Sequence, residues 1–304
     1  MRAVFLGTPA FAVPSLVKLR EICDVVAVVC QPDRAKDRKG RFIFCPVKQY
    51  AIDNGIPVFQ FEKIRLEGVE TLKELAPDVM ITSAYGQILS QEILDIPKFG
   101  VINVHGSMLP EYRGSSPLQW CLINGEKVTG VTIMKTDIGM DTGAMLRKRE
   151  IEITENMYLD DLFEKASEVG AQLLIETLPD YFEGKIIPEP QDESKATKCR
   201  MLKKEEAVID WSQSAEVVRN KIRGMGFGLT GYNGEQLKIY KLDLTDDVDL
   251  PGCGMIEVAK NRITVKCGQG AVNITDLQLQ NRKRMSVSDF LNGVKLQSGE
   301  EFKA

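Results

Sequence analysis

The sequence predicts an α/β domain built on an open, largely parallel sheet, followed by a smaller, mostly β domain. Three observations carry this reading. Between residues 3 and 105, short apolar β-branched runs alternate with helix-patterned stretches, as crossover connections between parallel strands require. Two of those runs, VVAVVCQ (25–31) and DVMITSA (78–84), are nearly continuously apolar, which marks strands covered on both faces. After residue 235, short strand-like runs recur between Gly, Asn and Asp, the spacing of a small barrel or sandwich.

Taken in order, AVFLG (3–7), VVAVVCQ, PVFQ (57–60), DVMITSA and GVINVH (100–105) are expected as strands. Between them FAVPSLVKLREI, PVKQYAIDNG and VETLKELA carry apolar residues at helical spacing. TGVTIMKTD (129–137) and MLRKREIEI (145–153) add strands, and LDDLFEKASEVGAQLLIETLPDYF (159–182) predicts a long amphipathic helix that closes the first domain. Residues 186–207 are polar, Pro-bearing and aperiodic, and read as a linker. One helix, AEVVRNKIRGM, then precedes the strands QLKIYKLDLT, GCGMIEVA, RITVKCG and AVNITDLQL.

The length of 304 residues fits two domains, and 43% hydrophobic with 27% charged residues is an ordinary globular composition. No apolar run reaches the roughly 18 residues that span a bilayer. At the N-terminus Gly7, Thr8 and Pro9 break the apolar run and charges return at Lys18, Arg20 and Glu21, so the stretch reads as strand, turn and helix rather than a signal peptide. A cytoplasmic protein is expected. The seven cysteines are odd in number and form no C-x-x-C pair, which predicts free thiols. With one histidine besides, a zinc site lacks its preferred ligands, and no metal is expected. The net charge is −4, divided as −5 over the first 200 residues and +1 over residues 201–304. Such a balance argues against indiscriminate nucleic-acid binding and leaves local basic patches for any such contact.

The single histidine, His105, lies in NVHGSMLPEYRG (103–114). Alternation along a strand puts Asn103 and His105 on one face, at the carboxyl end where open α/β sheets place ligands. A carboxamide can donate to a developing oxyanion and an imidazole can move a proton near neutral pH. The pair suits a carbonyl that becomes tetrahedral, although an isolated N-x-H is more often a structural hydrogen bonder. The Gly-punctuated loop TDIGMDTGAM (136–145) offers Asp137 and Asp141, and an aspartate beside the histidine would orient its ring. Such clusters are equally ordinary turn formers. SMLPEYRG (107–114) leads into a helix start at Pro117 and could bring backbone N–H groups and Arg113 near the site, or only shape the turn. LGTPAF (6–11) holds one glycine and lacks G-x-G-x-x-G, so dinucleotide binding has little support.

NVHGSMLPEYRGSSP followed by GVTIMKTDIGMDTG resembles the signature of formyltransferases that use 10-formyltetrahydrofolate. The family acts on methionyl-tRNA, glycinamide ribonucleotide or sugar nucleotides. FLGTPAFAVPSL, QPDRAKDRKGRFIFCPVKQYA, KKEEAVIDW and MSVSDFLNGVKLQSGEEF are similar to its methionyl-tRNA branch, so the resemblance runs along essentially the whole chain. It implies a Rossmann-like formyltransferase domain over 1–189, a linker over 190–207 and an OB-like, tRNA-binding β-barrel over 208–304. It also implies a formyl donor, 10-formyltetrahydrofolate, with no metal. The acceptor would be the α-amino group of methionine on initiator tRNA, for translation initiation, and a monomer is expected. A sugar-nucleotide N-formyltransferase with the same trio is the alternative.

By the same resemblance the catalytic trio falls on Asn103, His105 and Asp141: the first two stabilise the oxyanion, His105 carries protons and Asp141 holds it. Folate contacts are implied for Tyr85, Gly86, Gln87, Ile88, Leu89, Asp137 and Ile138. Ser107, Leu109, Pro110, Arg113 and Gly114 match the family's S-L-L-P-x-Y-R-G pattern, with Met108 a volume-conserving departure. The loop after Gln31 matches an insertion that enters the tRNA acceptor arm, which points to Arg34, Lys36, Arg38, Lys39 and Arg41, with Asp37 a departure from a purely basic loop. Arg219, Lys221, Arg223, Arg282, Lys283 and Arg284 are further candidate phosphate contacts. GMGFGLT (224–230) departs from the family's Pro/Trp-containing stretch.

Overall fold

A computed structural model of the chain describes residues 1–34, 36 and 40–303. It divides into two compact units, the first formed by Met1–Pro117, Val128–Glu152 and Phe163–Cys199, the second by Leu118–Lys127, Ile153–Leu162 and Arg200–Ala304.

In the first unit, the apolar runs become β1 (Arg2–Gly7), β2 (Asp24–Cys30), β3 (Val58–Gln60), β4 (Val79–Ser83) and β5 (Val101–His105). Helices α1 (Val13–Ile22), α2 (Pro46–Asp53), α3 (Ile64–Glu67), α4 (Val69–Leu75) and α5 (Gln91–Leu94) connect them. Every residue of β4 and all but the first of β1 are buried, as continuous apolar runs demand. Val4, Leu6, Val29, Leu72, Met80 and Ile93 pack in one core on this sheet.

After β5 come the short β6 (Arg113–Gly114), α6 (Pro117–Ile123), β7 (Val128–Lys135) and β8 (Met145–Glu152), then α7 (Leu159–Phe182). The sheet order is β3-β2-β1-β4-β5-β7-β8. The first five strands are parallel, whereas β7 runs antiparallel to β5 and β8 antiparallel to β7. This reversal has a consequence for the loop after β7. It starts level with the beginning of β5, where Thr136 N–H donates to Val101 O at 2.7 Å. To reach Asn103 and His105, Asp141 has to be carried back along β5.

The polar stretch expected as a linker is paired structure between Glu189 and Cys199. β9 (Lys198–Cys199) lies parallel to β6, and Gln191 and Cys199 are buried. Its residues bury polar groups through hydrogen bonds instead of through apolar packing, which is why they carry no hydrophobic period.

In the second unit, α8 (Ala215–Met225) starts at Ser214, whose Oγ accepts from Val217 N–H at 3.3 Å, and ends on Gly226. β10 (Gly228–Tyr232), β11 (Glu235–Thr245), β12 (Ile256–Ala259), β13 (Arg262–Lys266) and β14 (Ala271–Leu279) form an antiparallel sheet in the order β10-β11-β14-β13-β12. β15 (Met285–Ser286) adds to β14, and α9 (Val287–Gly293) follows. The chain end spans the sheet path: Glu301 bridges to Met255, just before β12, and Lys303 to Gly231 on β10. Trp211, Ile222, Leu237, Ile239, Val265, Phe290 and Phe302 share the core of this unit.

Among the described residues no disulfide forms, and no helix is long and apolar enough to cross a membrane.

Candidate active site

Asn103 and His105 occupy the end of β5 on one face, as alternation requires, and the Asp141 loop meets them there. Thr82 sits in register beside Asn103 on β4 and donates its hydroxyl to Asn103 Oδ1 at 2.9 Å. That bond turns the amide nitrogen toward Asp141 Oδ1, 3.5 Å away. The same carboxylate oxygen lies 3.6 Å from His105 Nδ1, while Oδ2 accepts from Gly114 N–H at 2.9 Å. On the other side of the ring, His105 Nε2 is 3.0 Å from the carbonyl of Tyr112. A carbonyl only accepts, so Nε2 carries a proton and the ring is pinned in plane. The histidine side chain is 7% exposed and the aspartate 18%, so the trio borders solvent without being bathed in it.

Two non-glycine residues flanking the ring have left-handed backbones, Tyr112 with φ 56° and Asp141 with φ 54°. That conformation costs roughly 1–2 kcal/mol per residue, so surrounding bonds must hold it. For Tyr112, N–H donates to Thr197 Oγ1 at 2.8 Å, and the neighbouring Arg113 N–H to Thr197 O at 2.9 Å. For Asp141, the carboxamide of Gln191 donates to its carbonyl and to that of Gly143, both at 2.8 Å. Two glycines are obligatory here. A Cβ on Gly114 (φ 118°) would stand 2.1 Å from Cys199 O, and one on Gly143 would stand 1.8 Å from Lys135 O.

Several residues expected to face a ligand are turned into the protein. Arg113 is 3% exposed; its Nε donates to Gln191 Oε1 at 2.9 Å and its two terminal nitrogens grip Glu193 at 2.7 and 3.0 Å. Glu193 raises the guanidinium's pKa, and Arg113 in turn holds the Glu193 carboxyl below its ordinary range. Arg113 is therefore a brace, not a free cation over the site. Ser107 Oγ bonds Glu111 O at 2.7 Å, and Leu109 packs with Met134 and Met145. Tyr85 is buried with its hydroxyl in the core, and burial pushes that hydroxyl's pKa up. Leu89 is buried as well. Gln87 ties Ile64 N–H and Phe61 O, each at 2.9 Å. Asp137 accepts from Thr142 Oγ1 at 2.7 Å and Gly139 N–H at 3.1 Å, organising its own loop. What these two loops leave outward is backbone, including Gly86, and the apolar ends of Ile88 and Ile138, 66% and 63% exposed. In the turn behind His105, Pro110 offers its carbonyl to Thr197 N–H at 3.3 Å.

The basic candidates divide in the same way. Arg34 pairs with Glu62 at 2.6 Å on the surface, and Lys36 lies over the ring of Phe42, 4.8 Å from its centroid. Arg41 is exposed, and Phe42 and Ile43 beside it are each 53% exposed. Arg38 and Lys39 lie outside the described residues. In the second unit Arg282 and Lys283 are exposed, and Arg284 forks onto Asp276 at 2.8 and 2.9 Å with its guanidinium 4.3 Å from the Tyr240 ring centre. Lys221 donates to Val208 O at 2.7 Å, and Arg219 is half-buried. Arg223 corrects the sequence reading. It is 3% exposed, with Nε and Nη2 on the carbonyls of Met157 and Thr154 at 2.7 and 2.8 Å, and it does not present its charge to a phosphate. Burial lowers its pKa.

Thr82, Gln191, Glu193 and Thr197 had no place in the sequence reading. Thr82 could have been found by pairing DVMITSA with GVINVH in register. Gln191, Glu193 and Thr197 lie in a stretch without periodicity and gave no local signal.

Comparison with known proteins adds an independent finding. Residues 1–178 match the family described as formyl transferase, and residues 201–295 match formyl transferase, C-terminal domain. The chain is 45% identical to the methionyl-tRNA formyltransferase of Acetivibrio thermocellus, over 99% of this chain and 99% of that protein. It is 45% identical to the methionyl-tRNA formyltransferase of Citrifermentans bemidjiense, over 98% and 95% respectively. Among solved structures, an N-formyltransferase from Helicobacter canadensis in complex with folinic acid and dTDP-3-aminofucose superposes with a TM-score of 0.66 at 20% identity, over 93% of this chain and 99% of that one. At that identity the likeness concerns the fold.

Proposed function

The chain belongs to the methionyl-tRNA formyltransferase family, and from that premise we propose that it moves the formyl group of 10-formyltetrahydrofolate to the α-amino group of methionine on initiator tRNA. The observation that supports this most directly is the meeting of Asn103, His105 and Asp141 at the end of β5. The methionine amine attacks the formyl carbon, and the formyl oxygen gains charge as the carbon becomes tetrahedral. The Asn103 amide, aimed by Thr82, stands as the preorganised donor for that oxygen, and His105 joins it once Nδ1 has taken up a proton. Collapse breaks the bond to N10 of the folate. The amine loses one proton and N10 gains one. His105 Nδ1 is held beside Asp141, beyond direct hydrogen-bond length, and is the ring atom with room to carry that proton. Backbone around Gly86 and Asp137, with the exposed Ile88 and Ile138, suits a flat ring with polar edges; in this reading Tyr85, Gln87, Leu89, Ser107, Leu109 and Arg113 shape that pocket from behind.

The loop holding Arg34, Lys36, Arg38, Lys39 and Arg41 is assigned to the acceptor arm, with Arg282, Lys283 and Arg284 as phosphate contacts from the 208–304 domain. The enzyme works as a cytoplasmic monomer in this reading. The sugar-nucleotide alternative is less favoured, because the basic loop and its exposed aromatic residue suit an RNA end. An acceptor assay decides: formylation of methionyl initiator tRNA is expected, and transfer to a nucleotide sugar but not to tRNA would overturn the assignment.

A further inference from the structure

The Asp141 loop presents a problem of mechanics. It leaves β7 level with the start of β5, carries a left-handed backbone at Asp141, and still delivers one carboxylate oxygen to both Asn103 and His105. Two of the bonds that hold it come from a single carboxamide. Gln191 is 9% exposed. Its Nε2 has two hydrogens, and they go to Asp141 O and Gly143 O, both at 2.8 Å. Its Oε1 accepts from Arg113 Nε at 2.9 Å, and Arg113 is itself locked by Glu193. The residue after Arg113, Gly114, returns to the same place by donating its N–H to Asp141 Oδ2 at 2.9 Å. A closed ring of bonds thus runs from the Asp141 carbonyl through Gln191 and Arg113 to Gly114 and back to the Asp141 carboxylate.

We propose that Gln191 is a positioning residue for the formyl transfer: it sets where the Asp141 carboxylate stands against His105, without touching either reactant. The inference rests on the reading of Asn103, His105 and Asp141 as the catalytic trio. Only a carboxamide of this length satisfies the ring. Its donors face two carbonyls, and its acceptor faces a guanidinium whose charge makes that bond stronger than a neutral one. A carboxylate in the same place would set oxygen against two carbonyl oxygens. An apolar side chain of similar volume would keep the packing and lose all three bonds.

The test uses the full chain and compares Q191M, Q191E, D141A and the double variant Q191M/D141A. Formylation of methionyl initiator tRNA by 10-formyltetrahydrofolate is followed, with circular dichroism and the melting midpoint as checks on the fold. Q191M is expected to lower kcat about ten- to a hundredfold, as loss of a supporting hydrogen bond beyond the reacting groups does. The KM for tRNA should stay within about twofold, since Gln191 bonds Arg113, Asp141 and Gly143 and, among the described residues, none of those assigned to tRNA. In the D141A background the same change should cost nothing further, because a residue that acts through Asp141 has nothing left to position. A merely structural role would instead lower the melting midpoint and add its loss to that of D141A. Q191E keeps the volume and the Arg113 partner, and it carries the test should Q191M not fold; a similar fall in kcat is expected. Wild-type kcat in Q191M or Q191E with an inactive D141A overturns the role of Gln191 alone. Full turnover in D141A overturns the reading of the trio beneath it.

Discussion

The Asp141 loop and the loop after Gln31 both project from the first unit, and they are built in opposite ways. In the Asp141 loop the Asp137 carboxylate, the Thr142 hydroxyl, Asp141 Oδ2 and the carbonyls of Asp141 and Gly143 all have partners at 2.7–3.1 Å; Gly143 has no room for a side chain and Asp141 carries a left-handed backbone. Among the described residues of the other loop, Phe42 and Ile43 are each 53% exposed, Lys36 lies over the Phe42 ring and Arg34 is tied to a surface glutamate. Chemistry on a carbonyl needs donors placed to a fraction of an ångström, so its groups are locked. Reception of a polyanion needs charge and reach, and surface pairs of that kind are weak enough to exchange. Precision is recognised by satisfied bonds and adaptability by exposed ones.

The sharpest way to break this contrast is at the histidine. His105→Ala should lower turnover by about 10²–10⁴-fold while folate binding, followed by fluorescence titration, stays near wild type. Full turnover would leave the trio without a proton carrier. Asn103→Ala removes one oxyanion donor and should cost about 10²–10³-fold in kcat with KM nearly unchanged. A rise in KM alone would make Asn103 a binding group. For the other loop, replacing Lys36, Arg38, Lys39 and Arg41 together with Ala should raise the KM for tRNA on the order of tenfold. It should also flatten the dependence of log K on log salt by about one unit for each phosphate that is no longer neutralised. The kcat should hold, so a kcat effect without a KM effect would place the loop in the catalytic machinery.

The second unit offers a finer test of the same distinction, between two arginines that look alike in sequence. Arg223→Ala leaves the carbonyls of Met157 and Thr154 without their charged donor and should destabilise the fold by about 2–3 kcal/mol, read by urea denaturation. Arg284→Ala removes a half-exposed surface pair and should cost less than about 1 kcal/mol, with its effect appearing in tRNA affinity instead. Equal destabilisation by both would erase the distinction.

Much of the fold was legible in the residues alone. The long helix was expected over 159–182 and is α7, Leu159–Phe182; AEVVRNKIRGM is α8 to the residue. Both have periodic apolar faces, and period is what a local pattern records best. The short β6–β9 pair escaped notice because two-residue strands have no period. The antiparallel entry of β7 escaped because strand direction depends on the path of the connection and not on the residues of the strand.

The same division runs through the site. That Asn103 and His105 share a face follows from the sequence alone, since side chains alternate along any strand. Chemistry on a carbonyl was suggested by their residue types, and the family by the motifs around them. Which arginines are buried braces and which sit in pairs at the surface was decided only by the tertiary structure. Arg113, Arg223 and Arg284 are the same side chain in sequence, and burial and partners alone separate them. So it is with Gln191: nothing in PEPQDES marks it, because its meaning lies in two carbonyls about fifty residues away that only the closed fold brings within hydrogen-bond reach.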